Sequence, residues 1–184
     1  AEGKFGPLAG QMFIGDIVHP RIRRVALGKV NGQYQGAGFA CYHAEGLKAG
    51  ICRLAFSSAG ELIIGRAGEG NWARGKPDSG LQKIAYSGTT PFEIHRIELQ
   101  NDGFLFHFTQ PINQSIKLDP EKFVIQSYHY PYGPNYGYPK TDIQKIVPTR
   151  VEQSLDRSTI RVMIQNLEER KIYQFNLPLI QDVD

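Results

Sequence analysis

Gly10-Gln11-Met12-Phe13-Ile14-Gly15-Asp16 returns fifty residues later as Gly60-Glu61-Leu62-Ile63-Ile64-Gly65-Arg66, each copy a turn glycine, an apolar strand and a closing glycine. The echo continues, because Arg24-Val25-Ala26-Leu27 follows the first copy as Lys83-Ile84-Ala85-Tyr86 follows the second, after a longer insert. A period of about 50 residues filled with short strands is the signature of propeller blades rather than of helical solenoids. A ring needs roughly four to eight blades. Two copies are present in the 184 residues, so the repeat is expected to leave its ring open within them.

The composition agrees with an all-β chain. Forty-one per cent apolar and 11% aromatic residues, with 20 glycines and 11 prolines, describe a globular, turn-rich polypeptide with too little charge for disorder. The net charge is +3 with both signs mixed throughout, which leaves no strong field for nucleic acid or anionic lipid. No apolar run approaches the ~18 residues of a membrane span. Ala1-Glu2-Gly3-Lys4-Phe5-Gly6 lacks the blocks of a signal peptide, and a mature, processed or internally cut start fits that beginning.

Strands are expected over Met12 to Ile17, Arg21 to Leu27 and Gln35 to Cys41, then over Ile51 to Phe56, Leu62 to Gly65 and Leu81 to Tyr86, the second set repeating the plan of the first. His19-Pro20, Asn31-Gly32 and Ser57-Ser58-Ala59-Gly60 supply turn chemistry between them. Arg21-Ile22-Arg23-Arg24-Val25 alternates imperfectly, so at least one guanidinium must point along the sheet edge or into a channel.

Ser87-Gly88-Thr89-Thr90-Pro91 marks the boundary, after which the chain changes character. Ile94 to Leu99 and Phe104 to Phe108 read as a hairpin about Asn101-Asp102-Gly103, and the spacing of Ile94 and Ile97 requires a small bulge. Phe123 to Ser127, Ile146 to Gln153, Thr159 to Gln165 and Ile172 to Leu177 read as further strands, and Asp119-Pro120-Glu121-Lys122 as a capped helical turn. Such a run of short strands points to a small β-sandwich of immunoglobulin-like outline. The expected fold is all-β, with incomplete β-propeller blades over 1–90 and an immunoglobulin-like sandwich over 91–184.

Gly10 to Asp16, Arg21 to Val25, Arg53-Leu54-Ala55-Phe56, Gly65 to Pro77 and Gly80-Leu81-Gln82-Lys83 together resemble the last blades of glucose/sorbosone dehydrogenase-like β-propellers. Pro91-Phe92-Glu93-Ile94 through Asp102-Gly103-Phe104 and Phe108-Thr109-Gln110-Pro111 look like the sandwich that follows the propeller in large bacterial members. The resemblance implies a six-bladed propeller in the periplasm or outside the cell, oxidising sugars with pyrroloquinoline quinone and calcium, and passing electrons to a cytochrome c. The base and most quinone contacts belong to earlier blades in that family. Where it implies quinone-binding arginines in a late blade, this chain has Gly50 and Cys52. Cys41-Tyr42-His43 is not a haem attachment motif, which needs two spaced cysteines before the histidine.

The glycine-rich insert from Gly65 to Gly80 carries Trp72, Arg74 and Lys76. It is no phosphate cradle, because no helix follows to offer its amides. One reading is a rim loop where the indole stacks on a sugar and the cations reach hydroxyls or an anion; the other is that Trp72 fills the gap between propeller and sandwich. Tyr128, Tyr130, Tyr132, Tyr136 and Tyr138 crowd a Pro/Gly-rich loop that suits protein or sugar contact, or packs back over the sandwich. Cys41 and Cys52 are either a disulfide across a turn or two buried thiols. His19, His43, His95, His107 and His129 lack metal-ligand spacing, although His95 and His107 could be neighbours on one hairpin. No nucleophile elbow is present, and Glu168-Glu169 reads as a solvated turn.

These residues are expected to form the C-terminal portion of a propeller protein, with no catalytic residue and no metal of their own, completed by other protein segments. The alternative is a non-catalytic carbohydrate-binding module or a structural subunit of a larger assembly.

Overall fold

The computed structural model describes residues 3–41, 46–47, 49–68 and 79–177, with side chains left aside at 40 and 41. The fold is all-β, with four antiparallel sheets, none closed. The chain divides into two compact units, Ala1–Pro91 and Phe92–Asp184.

In the first unit, β1 (Met12–Asp16), β2 (Arg21–Val30) and β3 (Gln33–Cys41) form one meander, and β4 (Ile51–Phe56), β5 (Leu62–Arg66) and β6 (Gly80–Ile84) form another. The β2–β3 ladder runs up to a two-residue turn at Asn31 and Gly32, whose φ values of 49° and 78° suit a type I′ hairpin. That tight turn makes both strands longer than the sequence pattern alone suggests.

The sequence echo is also a structural one. Gly10 and Gly60 both adopt left-handed conformations, at φ 83° and 85°. Met12 pairs with Val25 as Leu62 pairs with Ile84, and Phe13 pairs with Arg24 as Ile63 pairs with Lys83. The phase differs from the expected plan, however. The first copy lies on the first strand of its sheet, while the second lies on the middle strand of the other, after β4.

The Phe13 and Ile22 face of the first sheet meets the Leu62 and Ile64 face of the second, with Phe5, Leu8, Leu47 and Ile51 completing the core. Phe5 stands edge-on to Phe13 and Phe56 at centroid distances of 5.4 and 5.2 Å, so one ring ties both sheets together. β1 and β4 approach where side chains are absent. A Cβ on Gly15 would lie 2.4 Å from Ile51 Cγ2, and one on Gly50 would lie 1.9 Å from the Ile17 carbonyl oxygen.

In the second unit, β7 (Ile94–Gln100), β8 (Gly103–Phe108), β11 (Arg150–Gln153) and β12 (Thr159–Met163) form a sheet of order β11-β12-β8-β7. β9 (Val124–His129), β10 (Thr141–Ile146) and β13 (Ile172–Asn176) form a second, of order β10-β9-β13. Phe104, Phe106 and Phe108 alternate inward along β8, and Phe175 of β13 meets the first two at 4.9 and 5.1 Å. The register of β7 shifts between Ile94 and Arg96, the bulge that the isoleucine spacing required. Asp119 Oδ1 accepts from the Glu121 amide at 3.1 Å, capping the 3-10 turn Pro120–Lys122.

One expectation is corrected here. A continuous strand over Ile146 to Gln153 does not form. β10 ends at Ile146 and β11 begins at Arg150 in the other sheet. Pro148 has no amide to donate, and the Thr149 amide turns to the Met163 carbonyl at 2.9 Å, so the chain changes sheets at this corner.

Candidate functional site

The first sheet is apolar on both faces. Its inner face lies against the second sheet, while Met12, Ile14 and Leu27 on the outer face are 45%, 46% and 54% exposed. Val25 lies among them, half-buried, and Gly36 and Gly38 leave the adjoining stretch of β3 flat. The equivalent positions of the second copy behave oppositely, Leu62 and Ile64 being 1% and 0% exposed beneath the first sheet. Arg21 and Arg23 border the outer patch and are exposed. This surface was not singled out from the sequence; its signal was the presence of apolar residues on both parities of Arg21 to Leu27 together with the echo of Met12 in Leu62.

Arg24 is the arginine that leaves the alternating pattern. It turns inward with Ile22 and Ala26, only 1% exposed, and its guanidinium carbon lies 4.1 Å from the ring centroid of Phe39, its cross-strand neighbour. Its Nη1 donates to Gln11 Oε1 at 2.5 Å. Cys52 is a free thiol whose Sγ donates to the Gly65 carbonyl at 3.2 Å. The side chain of Cys41, and Trp72, Arg74 and Lys76, lie outside the described residues. A groove of about 240 Å³ beside Phe5, Leu8, Ile84 and Tyr86 is mainly apolar, with the Tyr86 hydroxyl donating to the Gly88 carbonyl at 3.1 Å.

The tyrosine loop joins β9 to β10. Tyr132 and Tyr136 stand fully in solvent and Tyr130 is about half exposed, whereas Tyr128 is buried. Tyr130 meets Tyr128 edge-on at 5.5 Å, and Lys140 Nζ covers the Tyr128 ring at 4.1 Å. The Asn135 amide donates to the Tyr138 hydroxyl at 3.2 Å, and a Cβ on Gly133 would lie 1.9 Å from that hydroxyl. Two tyrosines thus present rings outward from a loop tied down by two others. Flat apolar area with a hydroxyl at its tip suits either a sugar ring or a protein surface.

The stem of this loop gathers polar groups. Thr141 Oγ1 donates to the His129 carbonyl at 3.1 Å and lies 3.2 Å from His129 Nε2. Lys171 Nζ donates to Asp142 Oδ2 and lies 3.9 Å from Glu168. The hydrogen bond from Lys171 holds the Asp142 carboxyl below its ordinary range, and the same bond raises the lysine. Thr, His and Asp occur together here, but His129 Nδ1 is 4.0 Å from Asp142 Oδ2, beyond hydrogen-bonding reach. The threonine hydroxyl is directed to a carbonyl. The cluster fastens the stem rather than activating a nucleophile.

On β7 and β8, His107 faces Arg96 rather than His95, because the bulge inserts one residue. Glu98 Oε1 accepts from Arg96 Nε at 2.8 Å and lies 3.2 Å from His107 Nε2, and the Arg96 hydrogen bond foremost lowers the Glu98 carboxyl. No group of three or more His, Cys, Asp and Glu side chains able to hold a metal ion occurs among the described residues.

Comparison with protein-family models, with curated proteins and with solved structures returns no match to this chain.

Proposed function

We propose that these residues are the C-terminal portion of a periplasmic or secreted sugar-dehydrogenase-like propeller protein, contributing closing blades and an accessory immunoglobulin-like sandwich, with the redox chemistry residing elsewhere on the parent. The observation that carries this reading is the contrast between Leu62 and Ile64, buried beneath a neighbouring sheet, and their counterparts Met12 and Ile14, which are about half exposed. An open apolar sheet face is costly in water, at roughly 25 cal/mol per Å². A preceding sheet of the same repeat would cover it as the first sheet covers the second.

The local chemistry supports a non-catalytic role for these residues. At the two positions where the family would bind quinone through arginine, Gly50 has no room for a side chain and the Cys52 thiol is engaged by Gly65. Neither offers a cation to a quinone carboxylate. Gly50 and Cys52 therefore do not supply the quinone contacts that the resemblance implies at these two positions.

Reading the parent gene upstream of the Ala1 codon tests the proposal. Further repeats of the glycine, apolar strand, glycine pattern are expected there, and a signal peptide directly ahead of Ala1 would overturn it. Robust aldose oxidation by residues 1–184 alone with quinone and calcium would also count against it.

Tyr132 and Tyr136 favour a second reading, in which the second unit binds carbohydrate or anchors the protein in a larger assembly. Glycan-array binding lost on Tyr132→Ala, Tyr136→Ala or Trp72→Ala supports the sugar version. A stoichiometric protein complex indifferent to sugars supports the assembly version.

A further inference from the structure

The two copies of the repeated motif hold different ranks in their sheets. β5, carrying Leu62 to Gly65, lies between β4 and β6, whereas β1, carrying Met12 to Gly15, pairs with β2 alone among the described residues. Laying the Met12–Val25 pair over the Leu62–Ile84 pair matches β1 to β5 and β2 to β6. β4 then has no counterpart in the first sheet, and the strand that would match it runs along the edge of β1 away from β2, where no described strand is paired.

Resting on the reading of the two sheets as consecutive repeats, we propose that the edge of β1 is a strand-acceptor site, and that its occupant is an extended segment of the β4 type donated by a further repeat of the parent polypeptide. In the second sheet, Phe56 pairs with Leu62, Ala55 with Ile63, Leu54 with Ile64 and Arg53 with Gly65. Carried over to β1, that register sets a large apolar residue opposite Met12, a small one opposite Phe13 and a leucine-like one opposite Ile14. The occupant runs antiparallel to β1. Its backbone takes up the outward amides and carbonyls of Met12 to Asp16, and its apolar residues lie beside Met12 and Ile14 on the open face.

The contrast in exposure supports the assignment independently of strand order. With β4 alongside and the first sheet above, Leu62 and Ile64 are 1% and 0% exposed, while Met12 and Ile14 are 45% and 46% exposed. A bare edge next to an apolar face is also a template for unwanted pairing, which an obligate partner strand would prevent.

The probe is a synthetic peptide with the sequence of residues 50–58 carrying Cys52→Ser, added to the full 184-residue chain. Binding is followed by fluorescence anisotropy, and amide exchange locates the peptide. The peptide is expected to bind and to slow exchange along β1. Scrambled and alternately N-methylated peptides should bind at least about tenfold more weakly, since the second loses the ladder while keeping its side chains. Ile14→Lys, at an exposed position, should keep the melting temperature and lose a similar factor in affinity.

Equal binding by the N-methylated peptide, or unchanged exchange along β1, would overturn the site. So would sedimentation revealing a dimer of the chain joined through β1, because a second copy would then be the occupant. Repeats found upstream with no peptide binding would sink this inference alone. Peptide binding without upstream repeats would sink the propeller parentage and the proposed donor together, and leave only the acceptor edge standing.

Discussion

Arg24 lies over Phe39, its guanidinium carbon 4.1 Å from the ring centroid, within the core of the first unit. The cation is shielded from water on all sides, and Gln11 accepts one of its hydrogen bonds. Arg24→Ala removes the ring contact, the stem packing and the hydrogen bond to the Gln11 amide oxygen together. We expect a loss of about 3 kcal/mol in urea unfolding. Arg24→Met, which retains the stem volume, should cost less than Arg24→Ala, and Phe39→Leu should reduce the cost of Arg24→Met if the ring contact matters. Equal costs for Arg24→Met in the presence and absence of the Phe39 ring would remove the cation–π contribution.

Gly50 and Gly38 make a matched pair of opposite sign. A Cβ at residue 50 would stand 1.9 Å from the Ile17 carbonyl oxygen, and backbone cannot swing aside as a side chain can. Gly50→Ala should therefore destabilise the first unit by about 2–4 kcal/mol. A Cβ at residue 38 meets nothing within 4 Å. Gly38→Ala should be neutral or slightly stabilising by reducing the freedom of the unfolded chain. Thermal melts of the two variants side by side measure the contrast.

The repeat was legible because it is written in local residues. Glycines in left-handed turns and the apolar strands between them specify β1 and β5, and Asn31-Gly32 specifies its own hairpin. The phase offset between the copies was not legible, because β4 resembles any short apolar strand until its partners are known. The break at Pro148 was missed for a related reason: apolar character continues across a corner even when the hydrogen bonds change sheets. Among the tyrosines the sequence identified the cluster but could not separate Tyr128, which is buried under Lys140, from Tyr132 and Tyr136, which face water. That division depends on where the strand ends, a tertiary property.

The turn after β11 carries a pH signature. Asp156 accepts from the Ser154 hydroxyl at 2.5 Å, and from the Ser158 amide and hydroxyl at 3.1 and 2.8 Å. These bonds, that of Ser154 foremost, lower its carboxyl from 3.8 to about 2. A folded value below the unfolded one means that the stabilisation is complete above the unfolded value and is lost as pH falls through the folded one. The stability difference between wild type and Asp156→Ala should thus be constant above about pH 5 and shrink progressively toward pH 2. Carbon NMR titration of the Asp156 carboxyl should give a midpoint well under the ordinary aspartate value; a midpoint near 3.8 would contradict the hydrogen-bonded turn.

Tyr132 and Tyr136 contribute nothing to the packing of their unit, since both rings are wholly exposed. Replacing either with alanine should change unfolding free energy by no more than about 0.5 kcal/mol. Tyr128→Ala, which empties a buried site beneath Lys140, should cost about 3 kcal/mol. Exposed aromatic rings with no folding role are the expected carriers of binding, because aromatic anchors dominate interface energetics. A double Tyr132→Ala, Tyr136→Ala variant that melts like wild type but loses its partner or glycan would assign the loop to recognition. If that variant retained every interaction of the parent chain, the loop would have no part in binding and the tyrosines would be surface residues without a ligand.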